Sequence, residues 1–118
     1  FGGTNFSKLE LMRSEKRAFD AYEPLARVGE NALKMVDYVN EILASEPNPG
    51  CRQFIISGGI NGFLDGYYLI RKLNARAVYG QASGFLRHAK DSFNDLHQYV
   101  SDQVDGLRLA SAYLTLRK

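Results

Sequence analysis

The sequence predicts an α/β fold of parallel strands crossed by helices, and three observations predict it. The short apolar run Phe54-Ile55-Ile56 breaks into Ser57-Gly58-Gly59, and a helix-like segment follows from about Phe63. A second unit of the same kind follows at once: Ala77-Val78-Tyr79, then Gly80-Gln81-Ala82-Ser83-Gly84, then a helical segment from Phe85. Helix and strand alternate along the chain with no hairpin signal, the pattern of βα units in a parallel sheet. Two successive units with glycine turns after both strands, and a short extra helix after the second, match the phosphate site of a (β/α)8 barrel, built after its seventh and eighth strands. The expected architecture is the C-terminal part of such a TIM barrel: its last two to three βα units plus a closing helix. Residues 1–118 then form one fragment of one domain.

Taken in order, the end of a strand is expected at Phe1. Ser7 to about Lys16 can form a helix, with Ser7-Lys8-Leu9-Glu10 as a capping box. Residues 17–29, with Pro24 and Gly29, read as a connector holding a weak helical stretch. From Gly29 to Ser45 an amphipathic helix is expected, because Ala32, Met35, Val36, Val39, Ile42 and Leu43 recur at three- and four-residue intervals. Glu46-Pro47-Asn48-Pro49-Gly50 ends it and turns the chain. A strand over 52–57, a helix over 63–73, a strand over 76–80 and a short helix over 85–90 follow. Asp91-Ser92 breaks that short helix from a long one, which runs from Ser92 to about Leu116 with no strand between. Ser92-Phe93-Asn94-Asp95 resembles a cap at its start. Phe93, Leu96, Val100, Val104, Leu107, Ala110 and Leu114 line one face of this closing helix.

Two parallel strands and part of a third cannot close a barrel, which usually needs about 250 residues. They also cannot cover both faces of a parallel sheet. The opening on Phe1-Gly2-Gly3-Thr4, without methionine, fits the expectation of a portion of something larger.

Composition is that of one globular unit, with 45% hydrophobic and 24% charged residues among 118. A formal charge of +2, with no stretch interleaving basic and aromatic residues, argues against a nucleic-acid partner. No apolar run approaches membrane-spanning length, and no signal-peptide pattern is seen, so no membrane partner is expected. The lone Cys51 excludes an internal disulfide and fits a reducing, cytoplasmic compartment. Beside Pro49-Gly50 it reads as a packing residue rather than a nucleophile.

The chemistry points to an anion. Consecutive glycines let backbone N–H groups approach a ligand that a Cβ would hold away. A helix that starts just beyond directs its positive end to the same place.

Three segments together carry a family resemblance. Gly-Gly-Thr-Asn-Phe-Ser-Lys-Leu-Glu at 2–10, with Arg13 after it, resembles the loop after the sixth strand of type 2 isopentenyl-diphosphate isomerases. Ile-Ser-Gly-Gly-Ile-Asn-Gly-Phe-Leu-Asp at 56–65 is similar to that family's seventh-strand motif, which usually reads Ser-Gly-Gly-Ile-Arg followed by Leu-Asp. Ala77-Val78 with Gly80-Gln81-Ala82 and Phe85-Leu86 resembles the eighth-strand segment, and Gly106-Leu-Arg-Leu-Ala the terminal helix. The resemblance implies an FMN-dependent isomerase that interconverts isopentenyl diphosphate and dimethylallyl diphosphate in isoprenoid biosynthesis. It also implies NADPH as reductant, Mg2+ for the substrate diphosphate, and assembly as a homo-oligomer.

By that resemblance Thr4, Gly58, Gly59, Ile60, Asn61, Ala82 and Ser83 match FMN-binding places, mostly through backbone amides. Asn61 stands where arginine is usual, and Ser83-Gly84 where Arg-Pro is common. The family's catalytic and metal residues lie on earlier strands, so no catalytic or metal-ligating residue is assigned here, and the 118 residues alone are expected to be inactive.

Local substitutes have plainer explanations. His88 and His97 read as surface or helix-packing residues, Asp65 as a charge complementing a helix dipole, and Glu10 as part of the capping box. Arg13, Lys16 and Arg17 read as a solvated helix face, while Tyr67, Tyr68, Tyr79 and Phe85 read as core. Two other classes of function fit the same residues: a fragment of another FMN-dependent barrel oxidoreductase, and a non-catalytic, phosphate-binding half-barrel that pairs through its open edge.

Overall fold

A computed structural model describes residues 1–5 and 15–117. The expected helix start and capping box at 7–10, and Arg13, lie outside the described residues. Helix α1 spans Lys16–Tyr22 and runs into a 3-10 turn, Glu23–Arg27, with Pro24 in its first turn. Helix α2 spans Ala32–Ser45. Gly29, expected to open it, instead takes φ +104° just before it. A Cβ there would crowd the Thr4 carbonyl at 2.7 Å, and the helix starts only at Ala32, capped by Asn31, whose Oδ1 accepts the Lys34 N–H at 2.8 Å.

Strand β1 (Gln53–Ser57) and strand β2 (Arg76–Gly80) pair in parallel, with Gln53 opposite Arg76 and Ser57 opposite Gly80. Helix α3 (Phe63–Lys72) joins them. A third chain segment flanks β1 on its other edge. The Phe1 nitrogen donates to the Ile55 carbonyl at 2.9 Å, and the Ser57 N–H donates to the Phe1 carbonyl at 2.8 Å. That pair of bonds is a parallel ladder. The spatial order is thus Phe1, β1, β2, all pointing one way.

Alternation decides the faces. Phe54 and Ile56 of β1 and Ala77 and Tyr79 of β2 pack towards the helices, where Ala32, Val36, Ile56, Ile60, Leu69 and Leu73 form the buried cluster. Tyr79 lies against α3, where Gly66 leaves room for its ring; a Cβ at 66 would overlap it. Asn40 ties α2 to the α3–β2 connection, donating to the Lys72 carbonyl at 2.9 Å and accepting from the Asn74 N–H at 2.7 Å.

Helix α4 (Ser83–Asp91) and helix α5 (Phe93–Tyr113) complete the chain. Ser92 caps α5, its Oγ accepting the Asp95 N–H at 3.0 Å. Helix α5 packs on α4 and α3 by a line of Leu96, Tyr99, Gln103, Gly106 and Ala110, with Phe63 seated over Gly106. The apolar face expected for it is therefore corrected in part: Leu96, Leu107 and Ala110 are buried or half-buried, but Phe93 is 76% exposed, and Val100, Val104 and Leu114 are exposed too. Gly106 and Ala110 admit the neighbouring helix, and Phe93, Val100, Val104 and Leu114 face away. Cys51 is likewise exposed rather than packed, its Sγ 3.2 Å from the Gln53 carbonyl, and Tyr68 is exposed rather than core.

The molecule is open for its size. Its radius of gyration is 16.6 Å, against about 13.5 Å for a compact 118-residue domain. Its accessible surface is 8871 Å², against roughly 6,400 Å² expected of a compact monomer of this mass. Many large apolar side chains are exposed. Ile55 and Val78, adjacent in the ladder on the sheet face away from the helices, are 61% and 60% exposed. Parallel sheets normally have both faces covered.

Candidate phosphate-binding site

The parallel register brings both glycine turns to one edge. Ser57 and Gly80 are ladder partners, and paired strands lie about 4.8 Å apart, so the chain leaves the two strands side by side. Gly58 and Gly59 both have positive φ, +105° and +80°. They do different jobs. A Cβ on Gly58 would stand 2.9 Å from the Gly3 carbonyl oxygen, so Gly58 is bare because the Phe1–Gly3 segment crosses it. A Cβ on Gly59 would meet nothing within 4 Å. Its space opens outwards, and the N–H groups of Gly59 and Ile60 have no hydrogen-bond partner among the described residues.

Helix α3 starts from Gly62, and α4 from Ala82, with no side-chain cap on either. By contrast α2 and α5 carry the Asn31 and Ser92 caps. The first turn of a helix leaves N–H groups without intrahelical partners, which side chains, water or a ligand must satisfy. Helix α1 also lacks a side-chain cap, and α3 and α4 are the uncapped helices that begin at the shared edge.

Thr4 anchors the loop after Phe1: its N–H donates to the Glu30 carbonyl at 2.8 Å, and its Oγ1 accepts the Glu30 N–H at 2.7 Å. Through Gly3, whose N–H donates to the Gly58 carbonyl at 3.1 Å, this loop touches the glycine turn. The Ile60 side chain belongs to the buried cluster, leaving its backbone for the turn. Asn61 is exposed, and its N–H donates to Asp65 Oδ2 at 3.0 Å. One amide is therefore already taken by a carboxylate, a partner the sequence hints at by placing aspartate four residues on. Ala82 precedes α4, and Ser83 is its first residue. The expected loop at Ser83-Gly84 is corrected to helix, since Gly84 is buried where a Cβ would overlap Gln81 and Tyr99.

Gln81 was not among the expected site residues, yet it ties this loop down. Its Nε2 donates to the Tyr99 hydroxyl at 2.6 Å, while its buried Oε1 has no partner among the described residues. Tyr99 in turn stacks on His88, with ring centroids 4.1 Å apart, and meets Phe85 edge-on. His88 Nδ1 lies 2.8 Å from the Gly84 carbonyl. His88 thus packs helix on helix, and His97 sits on exposed α5 surface near Phe93. Burial, with the nearby Tyr99 adding to it, raises the Tyr79 hydroxyl above its ordinary pKa of 10.0.

Among the described residues no group of three or more His, Cys, Asp or Glu could hold a metal ion. No described helix is long and apolar enough to cross a membrane. No protein-family model, curated protein or solved structure matches the chain.

Proposed function

We propose that this chain is the flavin-phosphate end of a larger FMN-dependent (β/α)8 barrel, an isomerase of the type 2 isopentenyl-diphosphate kind. One observation carries the reading: two uncapped helix N-termini and the bare, outward-opening Gly59 turn lie side by side at the C-terminal edge of parallel strands. That edge is where barrels of this kind hold a phosphate. The order Phe1, β1, β2 supports strands six, seven and eight, and the uncovered Ile55–Val78 face supports further strands beyond them.

In this reading the Gly59 and Ile60 amides and the first turns of α3 and α4 bind the phosphate. Thr4 and Gly58 fix the turn from below. Gln81, held by Tyr99, fixes the second loop. Asn61 supplies no charge. FMN, when bound, supplies the flavin chemistry of double-bond isomerisation, and this chain's residues hold its phosphate tail. In this reading the residues that hold Mg2+ lie on earlier strands of the complete protein.

The test is made on the complete natural protein that contains this sequence. It should purify with, or take up, FMN, show flavin absorbance, and isomerise isopentenyl diphosphate when given NADPH and Mg2+. The 118 residues alone should show no turnover. A complete protein that binds no FMN after reconstitution sinks the proposal, and phosphate binding without flavin would leave the half-barrel reading in its place.

A further inference from the structure

At the opposite end of the sheet from the glycine turns lies an open groove of about 710 Å³. The end of α3, the start of β2 and the tail after α5 bound it. Its floor is aliphatic, with Ile70, Leu73 and Ala77, and its rim carries Arg71, Lys72, Arg76 and Arg117. No carboxylate lines it, and among the described residues none of the four cations is in an ion pair. Arg71 and Lys72 in the last turn of α3 are what its dipole favours. Arg76 and Arg117, on a strand and in the tail, have no such reason. The charge is not spread evenly through the sequence either: residues 47–90 hold six lysines and arginines and a single acid, Asp65, which sits at the far end of α3.

We propose that this groove binds an acidic peptide segment of a partner protein, one that alternates carboxylate and aliphatic side chains. Three guanidinium groups and an ammonium on the rim match carboxylates, and arginine does so with two parallel hydrogen bonds. The aliphatic floor takes the intervening apolar side chains. A nucleic-acid strand fits less well, because no aromatic residue lines the groove to stack a base. A bilayer is flat and cannot reach a concave floor. The groove lies on the helix side of β2, since Ala77 shares the face of Tyr79, so it is bounded by this chain and is separate from the phosphate edge.

The test uses the 118-residue chain and a short fluorescein-labelled peptide alternating glutamate and leucine, followed by anisotropy. Saturable binding that weakens as salt rises is expected, because exposed charges are screened. Arg76→Glu should lower the affinity about tenfold or more, the effect of removing one favourable charge contact and adding a repulsive one. Arg117→Glu, in the tail beyond α5, should act in the same direction, and circular dichroism should show both variants folded. Absence of binding, or equal binding by wild type and both variants, overturns the proposal. So does single-stranded DNA or phosphatidylserine vesicles binding as tightly as the peptide and being lost in the same variants.

Discussion

Replacing Gly59 and Gly58 separately by alanine distinguishes a ligand turn from a packing turn. At Gly59 the new Cβ meets no atom within 4 Å. The cost is then the left-handed backbone alone at φ +80°, about 1–2 kcal/mol for an L residue. For a chain of this length each kcal/mol moves the melting temperature by about 4 °C, so Gly59→Ala should melt roughly 4–8 °C lower. At Gly58 the same backbone penalty applies and the Cβ also stands 2.9 Å from the Gly3 carbonyl oxygen. Backbone cannot swing aside as a flexible side chain can, and overpacking adds about 1–3 kcal/mol. Gly58→Ala should melt about 8–20 °C lower. Inorganic phosphate at about ten times its Kd should stabilise the wild type by about 1.4 kcal/mol, and this gain should vanish in Gly59→Ala, whose methyl fills the approach. Thermal melts with and without phosphate measure all of this. Equal phosphate stabilisation in wild type and Gly59→Ala would refute the assignment of the turn to an anion, and equal destabilisation by the two variants would refute the packing argument for Gly58.

Three further outcomes are expected. Asn61→Arg should tighten inorganic phosphate binding in calorimetric titration roughly tenfold or more, since a charged hydrogen bond contributes about 1.5–3 kcal/mol; an unchanged Kd would mean that position 61 faces away from the anion. Because the Tyr79 pKa is raised in the fold, the unfolded chain loses that proton first, so Tyr79's contribution is complete below pH 10 and declines as the pH rises beyond it. Tyr79→Phe should therefore flatten the alkaline limb of stability in urea melts, and an unaltered limb would contradict the assignment. Ile55→Asp should change the stability of the isolated 118 residues by less than about 0.5 kcal/mol, as for an exposed site, yet strongly destabilise the complete natural protein if further strands cover that face; a small effect in both would argue against a closed barrel.

Much of the frame is legible in the sequence because its signals are local. The apolar runs at 54–56 and 77–79, each ending in glycine, place both strands to within a residue, and the helical segment between them makes the pairing parallel. The cap at Ser92 is likewise a matter of four adjacent residues. What could not be read depends on tertiary contacts. Helix α5 docks along a line from Leu96 and Tyr99 to Gly106 and Ala110 that leaves Phe93, Val100 and Val104 outside, because Phe63 needs the space above Gly106. Ser83 and Gly84 have turn composition, yet they begin α4, because Gly84 is bare for the Gln81–Tyr99 contact rather than for a bend. At the site, the glycines were visible in sequence. The division of labour between Gly58 and Gly59, and the amide of Asn61 already held by Asp65, are properties of the folded chain.

The two ladders on β1 also differ in how far the chain must return to form them. Partners in β1 and β2 are 23 positions apart, from Gln53 to Arg76, whereas Phe1 and Ile55 are 54 apart. The longer closure costs only about 0.8 kcal/mol more, so separation alone does not weaken the Phe1 strand. What differs is the extent of pairing: two hydrogen bonds of Phe1 hold it to β1, whereas β1 and β2 are partnered at five positions. The β1–α3–β2 unit can therefore assemble as soon as Gly80 is available, with the Phe1 strand joining last and leaving first. Amide exchange should record that order: the Ser57 N–H, held by the Phe1 carbonyl, should exchange faster than the N–H groups shared between β1 and β2.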